Sequence, residues 1–491
     1  MPDTSSPVAA GRRRWITVIT VSVALFMVTL DNLIVIVGLP SIRESLGASL
    51  ESLEWTVNAY TLAFAVALIP AAALGDRFGR RRLFLVGLLL FTASSAAAAL
   101  ATTAGALIVA RMAQGIGGAI IAPLTLTLLA AGVPRERRGL AIGIWSAISG
   151  IGVALGPLVG GAVIEAASWQ WIFWINVPVG LVLLPVAGFL LRESFGPQGR
   201  LDIVGFGLVA LGLSGVVFGL VRANAAGWSS PEIIGTLGGG AVVLALFVWW
   251  EHRAATPMVP LNLFASRGFA VTNLAGLFMM FGTFGSIFLL TQLLQGLFGY
   301  GPLEAGLRML VWTGATLLVA PLAGPMAERF GPRPFMAAGL ALQATALYWI
   351  AAVSEVGMAW TPLIPPFALA GAGMALSFAP SASAVLASVR PERAGQASGV
   401  NNAVREVGGV FGIAVLGTIF AHNGGFSSPQ ALLDGTAPAV VAGASVTAAG
   451  ALIALLHPRK AARLRGAARP GAAPDPAASG QSTPEPAPVG T

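Results

Sequence analysis

The chain has 491 residues, a formal net charge of +8, 56% hydrophobic residues and only 10% charged ones. A soluble domain carries about 25% charged residues, so water is not the main solvent here. There is no cysteine, three scattered histidines (His252, His422, His457) and a single lysine, Lys460. That excludes disulfide and thiol chemistry, argues against a metal centre, and leaves no Walker lysine to cradle ATP phosphates. No cofactor is expected, so uphill work must draw on an ion gradient. Excess positive charge in a membrane protein reports orientation, and no nucleic-acid partner is expected.

Taken in chain order, Arg12-Arg13-Arg14 precede an apolar run that imitates a secretory signal. The run is long, contains Asp31 and lacks a small-residue cleavage site, so it reads as an uncleaved first helix over 15–37. Further helices are predicted over 54–74, 82–101, 105–131, 139–164, 171–191, 202–221, 232–250, 268–292, 305–325, 335–354, 360–389, 396–420 and 436–457. Most are near or above the ~20 residues that cross a bilayer, and the alternating segments of a β-barrel are missing. With a cytoplasmic N-terminus, 23 of the 28 basic residues fall inside and three, Arg43, Arg222 and Arg308, outside. Arg111 and Arg405 lie within helices. This bias predicts that both termini face the cytoplasm. The segment 459–491, Ala/Pro/Gly-rich from Gly466 onward, is expected to be a disordered cytoplasmic tail.

The helices repeat. Residues 136–156 align with 392–412 at a constant offset of 256, matching Glu136/Glu392, Arg137/Arg393, Gly139/Gly395, Gly143/Gly399, Gly152/Gly408 and Gly156/Gly412. Arg77-Phe78-Gly79 recurs as Arg329-Phe330-Gly331 at offset 252. Both copies begin at predicted cytoplasmic loops, so the repeats are parallel. The expected organisation is a cytoplasmic arm over 1–14, a six-helix bundle over 15–191, two extra helices over 192–266, a second six-helix bundle over 267–458, and the tail.

Helix five carries Gly143, Gly152, Gly156-Pro157 and Gly160-Gly161. Three of these glycines, spaced four apart, form a groove for close helix approach, and Pro157 removes a backbone donor and bends the helix. The loop after helix two reads Gly75-Asp76-Arg77-Phe78-Gly79-Arg80-Arg81-Arg82, with a weaker copy over 324–333 and Glu328 in the acidic place. Helix one holds Leu30-Asp31-Asn32-Leu33-Ile34-Val35-Ile36-Val37-Gly38-Leu39-Pro40, and helix four Arg111-Met112-Ala113-Gln114-Gly115. Together these motifs, covering about 15–457, resemble the fourteen-helix drug:proton antiporter branch of the major facilitator superfamily. Leu33 and Ile36 replace a threonine and an asparagine of its first-helix signature, and Ala72 its leading loop glycine. The segment from Trp169 to Gly180 is similar to another of the branch, with Gln170 in place of arginine. It reads as an aromatic anchor opening helix six.

The resemblance implies an all-α polytopic membrane protein with the major facilitator fold, two six-helix bundles plus two linker helices. It also implies a gating loop made by Asp76, Arg77, Gly79, Arg80 and Arg81, which latches the cytoplasmic sides of the bundles. Asp31 lies six residues before Val37 and Arg111 six after Gly105, so at ~1.5 Å per residue both are predicted roughly 9 Å below the outer surface. Ionisable groups at such depth default to function; Asp31 and Arg111 are read as the proton-coupling pair, with a purely structural ion pair as the alternative. Arg405 and Glu406, which replace Ser149 and Gly150 of the repeat, join them as proton-coupling candidates. Being adjacent, they project ~100° apart and are not expected to pair with each other. Glu165, near the outer mouth, is expected to be solvated. Substrate-cavity candidates are Asn58, Tyr60, Gln114, Trp145, Gln292, Gln295, Trp312, Asn401 and Asn402, several of which will face other helices instead. The expected function is proton-coupled antiport, by alternating access, of small lipophilic, cationic or zwitterionic compounds across a bacterial cytoplasmic membrane. The alternative is a dedicated exporter of an antibiotic or other metabolite made by the host. No catalytic constellation suggests an enzyme.

Overall fold

The computed structural model describes residues 7–134, 137–196, 201–390 and 393–458, without the side chains of 7–14 and Gly139. The tail 459–491 and the repeat pair Glu136/Glu392 lie outside the described residues. Fourteen helices are long and apolar enough to cross a membrane. The main helices of these spans are α1 (Pro7–Leu46), α2 (Leu50–Phe78), α3 (Arg80–Ala99), α4 (Ala104–Gly132), α5 (Arg138–Ala166), α6 (Asn176–Leu190, in the span Trp171–Leu190), α7 (Ile203–Ala226) and α8 (Pro231–Arg253). The second half adds α9 (Arg267–Gly296), α10 (Pro302–Phe330), α11 (Pro332–Val353), α12 (Ile364–Ala387), α13 (Ala394–Asn423) and α14 (Pro429–Ala454).

Local chemistry sets the ends. The side chains of Ser49, Thr103, Ser230 and Ser428 accept a backbone N–H three residues on, each capping a helix start. Several boundaries differ from the sequence reading, α2 beginning at Leu50 rather than 54 and α14 at Pro429 rather than 436, and two of the differences bear on the site. α1 was expected over 15–37 but runs from Pro7, a favoured first helical residue, through Pro40 to Leu46, stopping at Gly47 with φ +59°. The expected Asp31 depth of roughly 9 Å is therefore too shallow against the end of its own helix. Fifteen residues separate Asp31 from Leu46, about 22 Å of axis. The sixth span is broken: a turn, Trp171–Trp174, precedes α6, because Pro178 cannot donate to the Trp174 carbonyl.

Packing follows the repeat. In the first half α1 lies on α5 and α4, α2 and α3 on α4, and α6 on α3 and α1; the second half repeats this with α9 on α13 and α12, α10 and α11 on α12, and α14 on α11 and α9. The halves meet along two equivalent seams, α5 with α10 and α2 with α13. α7 and α8 pair with each other, and α7 also lies against both α2 and α13. Only 11% of the central α8 window is buried against 78% for α9, so α8 faces lipid while α9 is interior. Buried hydroxyls on these helices donate back one turn, as Thr61 does to Val57 O (3.1 Å) and Thr291 to Ile287 O (2.8 Å), which satisfies them where no water is present.

Candidate functional site

The charged residues inside the first half converge. Asp31 and Arg111 are both fully buried, and Arg111 Nη1 donates to Asp31 Oδ2 at 2.5 Å. Asp31 Oδ1 accepts from Gln114 Nε2 and from Asn176 Nδ2, each at 2.8 Å. Arg111 further donates to Gln114 Oε1 (2.7 Å) and to Thr56 O (3.2 Å). Gln114 Nε2 reaches Ser95 Oγ at 2.8 Å. The guanidinium lies 4.2 Å from the Tyr60 ring centroid and 5.8 Å from that of Phe173, a cation over two aromatic faces. Six helical elements thus hold one carboxylate and one guanidinium with their partners supplied, as a buried ion pair requires. Sequence reasoning missed Asn176, Ser95 and Thr56. The segment opening α6 is more than an aromatic anchor, since its asparagine binds Asp31. An amide inside an aromatic run was the available signal.

In the second half Arg405 is buried and turns to α12, where its Nη2 donates to Ser381 Oγ and to Phe378 O (3.3 Å), with the guanidinium 4.2 Å from the Phe378 ring centroid. Oε2 of neighbouring Glu406 has no hydrogen-bond partner among the described residues.

The cavity candidates scatter. Asn58 and Gln292 are buried, with both polar atoms of Asn58 and Nε2 of Gln292 unpartnered among the described residues. Tyr60 and Gln114 belong to the Asp31 network. Trp145 donates to Thr125 Oγ1 (3.1 Å), Gln295 to Val37 O (2.9 Å), and Asn401 to Asn273 Oδ1 (3.2 Å). Trp312 is fully buried edge-on to Phe367 in an apolar cluster, and Asn402 is exposed. Glu165 is exposed and accepts from Leu303 N (3.2 Å).

The motif glycines of α5 divide between two neighbours. A Cβ on Gly156 would stand 2.9 Å from Leu33 Cβ and one on Gly160 2.7 Å from Ile34 Cγ1, so this row seats α5 on the helix that carries Asp31. Gly161 instead faces the backbone of Pro302 and Leu303, and Gly306 faces the Pro157 carbonyl, which brings α5 and α10 together. Gly143 lies eighteen residues before Gly161, five full turns, and therefore on the same face. It has nothing within 4 Å. Gly324, eighteen residues after Gly306, is equally open. α5 and α10 thus touch at one end and part toward the arginine-rich end.

At that end, Asp76 bonds Arg80 (2.7 Å). Gly79, at φ +107°, lets the chain turn against the Glu193 carboxylate, which accepts from the backbone N–H of Arg81 and of Arg82 (2.9 and 3.2 Å). Arg80 N donates to Ser194 O (2.9 Å), Gly196 N to Asp76 O (3.0 Å), and the Arg81 guanidinium to Leu191 O (3.3 Å). Arg77 lies beside the Phe78 ring. Here the loop is fastened to the segment that follows α6, in its own half.

Two parallel six-helix bundles with a buried ion pair at the centre of one, parted at one end and shut at the other, define a multi-pass membrane transporter. Comparison with known proteins agrees. The Major Facilitator Superfamily profile matches residues 21–289 and 272–485, and the chain belongs to that superfamily. It is 35% identical over 467 residues to the "Tetracenomycin C resistance and export protein" of Streptomyces glaucescens, covering 94% of this chain and 83% of that one. It is 36% identical to "Multidrug resistance protein Stp" of Mycobacterium tuberculosis (84% and 76% covered) and to "Cephamycin export protein CmcT" of Amycolatopsis lactamdurans (83% and 85%). Among solved structures, a bacterial homologue of the human lysosomal transporter Spinster, inward-facing and unoccupied, superposes with a TM-score of 0.66 at 16% identity, over 92% of this chain and 97% of that one.

Proposed function

We propose that the chain exports small lipophilic, cationic or zwitterionic compounds in exchange for protons, by alternating access across a bacterial cytoplasmic membrane, with both termini cytoplasmic. The observation that carries the reading is the buried Asp31–Arg111 pair, held by Gln114 of α4 and Asn176 of α6. Protonating Asp31 would remove the charge that holds Arg111 and Asn176, and so change what the network can bind. One carboxyl would then be shared in turn by a proton and a cationic solute. The named relatives support export, and the arginine bias supports the orientation. In it the structure is open to the cytoplasm between α5 and α10 and shut to the outside.

Asp31→Asn tests the reading, because it resembles the protonated carboxyl in shape. In vesicles carrying purified protein, the expected result is loss of substrate accumulation driven by an imposed pH gradient, with weaker and less pH-dependent binding. Accumulation against a gradient by the Asp31→Asn protein would overturn Asp31 as the carrier. A panel of antibiotics and lipophilic cations in a pump-deficient host then measures breadth.

A further inference from the structure

The two seams occupy matching positions in the repeats yet are sealed by different chemistry. α2 and α10 coincide at offset 252, α5 and α13 at offset 256. Gly161 therefore matches Gly417, and Gly306 matches Glu54. In the α5/α10 seam both positions are glycine and backbone lies on backbone. In the α2/α13 seam the space a Cβ on Gly417 would take is filled by Oε1 of Glu54.

Glu54 is 2% exposed, and its Oε2 has no hydrogen-bond partner among the described residues. The charged groups nearby are engaged elsewhere or exposed. Glu51, one turn earlier on α2, lies 3.7 Å from Arg222 of α7, which also binds Glu232 of α8 at 3.0 Å. Arg43 of α1 lies over the Phe426 ring, while Glu44 of α1 and His422 of α13 are exposed. The hydroxyl of Thr418, beside Gly417, donates to Leu220 O and Ala414 O, and Asn224 of α7 donates to Thr418 O. An ionised carboxylate buried without cation or donor costs far more than an unpartnered neutral acid in the same place.

We propose that Glu54 is a proton-operated latch of the α2/α13 seam. The seam closes over the neutral acid; when it opens to the outer medium, Glu54 meets water and gives its proton to that medium. Closing takes a proton back from the same side. The sign follows: the shut form binds the extra proton, so outer acid favours shut, and that preference fades as outer pH rises. Unlike Asp31, Glu54 carries no proton across the membrane. It reports outer pH to the access equilibrium. The latch rests on the orientation proposed above.

The chain has no cysteine, so one introduced thiol is a unique probe. Ala414→Cys places it three residues before Gly417, where Ala414 is buried with Leu62 and Val66 of α2. A membrane-impermeant maleimide is applied outside intact cells at graded outer pH, with and without Glu54→Gln, which mimics the neutral acid. The ratio of the two labelling rates cancels the ionisation of the thiol itself. The expected ratio rises with outer pH by at most about tenfold per unit, the slope that one linked proton allows, and Glu54→Gln stays slow throughout. A flat ratio with efflux intact overturns the latch and leaves the exporter reading standing. A ratio that follows inner pH overturns both the orientation and the latch. Loss of the pH response on Asp31→Asn but not on Glu54→Gln assigns it to the coupling pair and also overturns the latch.

Discussion

Where α5 meets α10, glycines face backbone, and the buried Thr313 hydroxyl of α10 donates to Ala154 O of α5 at 2.8 Å. Where α2 meets α13, at the matching repeat positions, a carboxylic side chain fills the glycine's space. Toward the arginine-rich end the contrast continues in another form. Gly143 and Gly324 look into open space, whereas a Cβ on Gly399, on the same face of α13 as Gly417, would rest 3.7 Å from Ile69 of α2. One seam is tight at one end and parted at the other; its counterpart stays in contact at both. Duplicated helices have kept their spacing here while the side chains between them diverged.

That contrast orders the effects of mutation. Gly161→Leu or Gly306→Leu should be the most damaging, because each pushes a side chain into backbone that cannot yield. Overpacking of about 3 kcal/mol on the shut form corresponds to a loss of transport of ~100-fold, read as efflux at equal membrane abundance. Undiminished efflux in either variant would deny that the α5/α10 seam must shut. Gly417→Ala meets only a flexible side chain, so a loss nearer tenfold is expected, together with loss of the dependence of Ala414→Cys labelling on outer pH. Were it as severe as Gly161→Leu, the two seams would be equivalent after all. Arg222→Ala should have the smallest effect. Its two ion pairs at the rim are partly exposed, worth about 0.5 kcal/mol each, the middle of the range for surface pairs, so efflux should change about 5-fold and the difference should shrink in high salt.

The fourteen spans were legible in the sequence because charge is rare there, and the Asp31–Arg111 contact because each intramembrane ion needs a partner and the family resemblance sets helices one and four side by side. What could not be read depended on neighbours distant in the chain. Glu54 sits in Glu51-Ser52-Leu53-Glu54, which looks like a solvated boundary, and the sequence reading begins its helix at that residue. In the structure α2 begins at Leu50, and a glycine more than 360 residues away makes room for the acid. Likewise the Asp76–Arg80 loop is recognisable, but nothing in its residues says that Glu193 to Gly196 hold it. Helix one was expected to end at Val37, yet α1 continues through Pro40 to Leu46. The amide that completes the Asp31 shell, Asn176, lay in a segment whose aromatics suggested an anchor.

The pairing of α7 with α8 has a mechanical consequence. Asn224 and Leu220 tie α7 to Thr418 of α13, and Arg222 ties it to Glu51 of α2, so the hairpin clasps one side of a molecule whose halves are otherwise related by repetition. Among the described residues no counterpart clasps α5 and α10. Any opening of the α2/α13 seam must therefore carry or break the contacts of α7, whereas α5 and α10 can part without disturbing the hairpin, an asymmetry that the duplicated bundles alone lack. Seen from the plane of the bilayer, the α2/α13 flank is walled by α7 and α8, and among the described residues the α5/α10 flank is not.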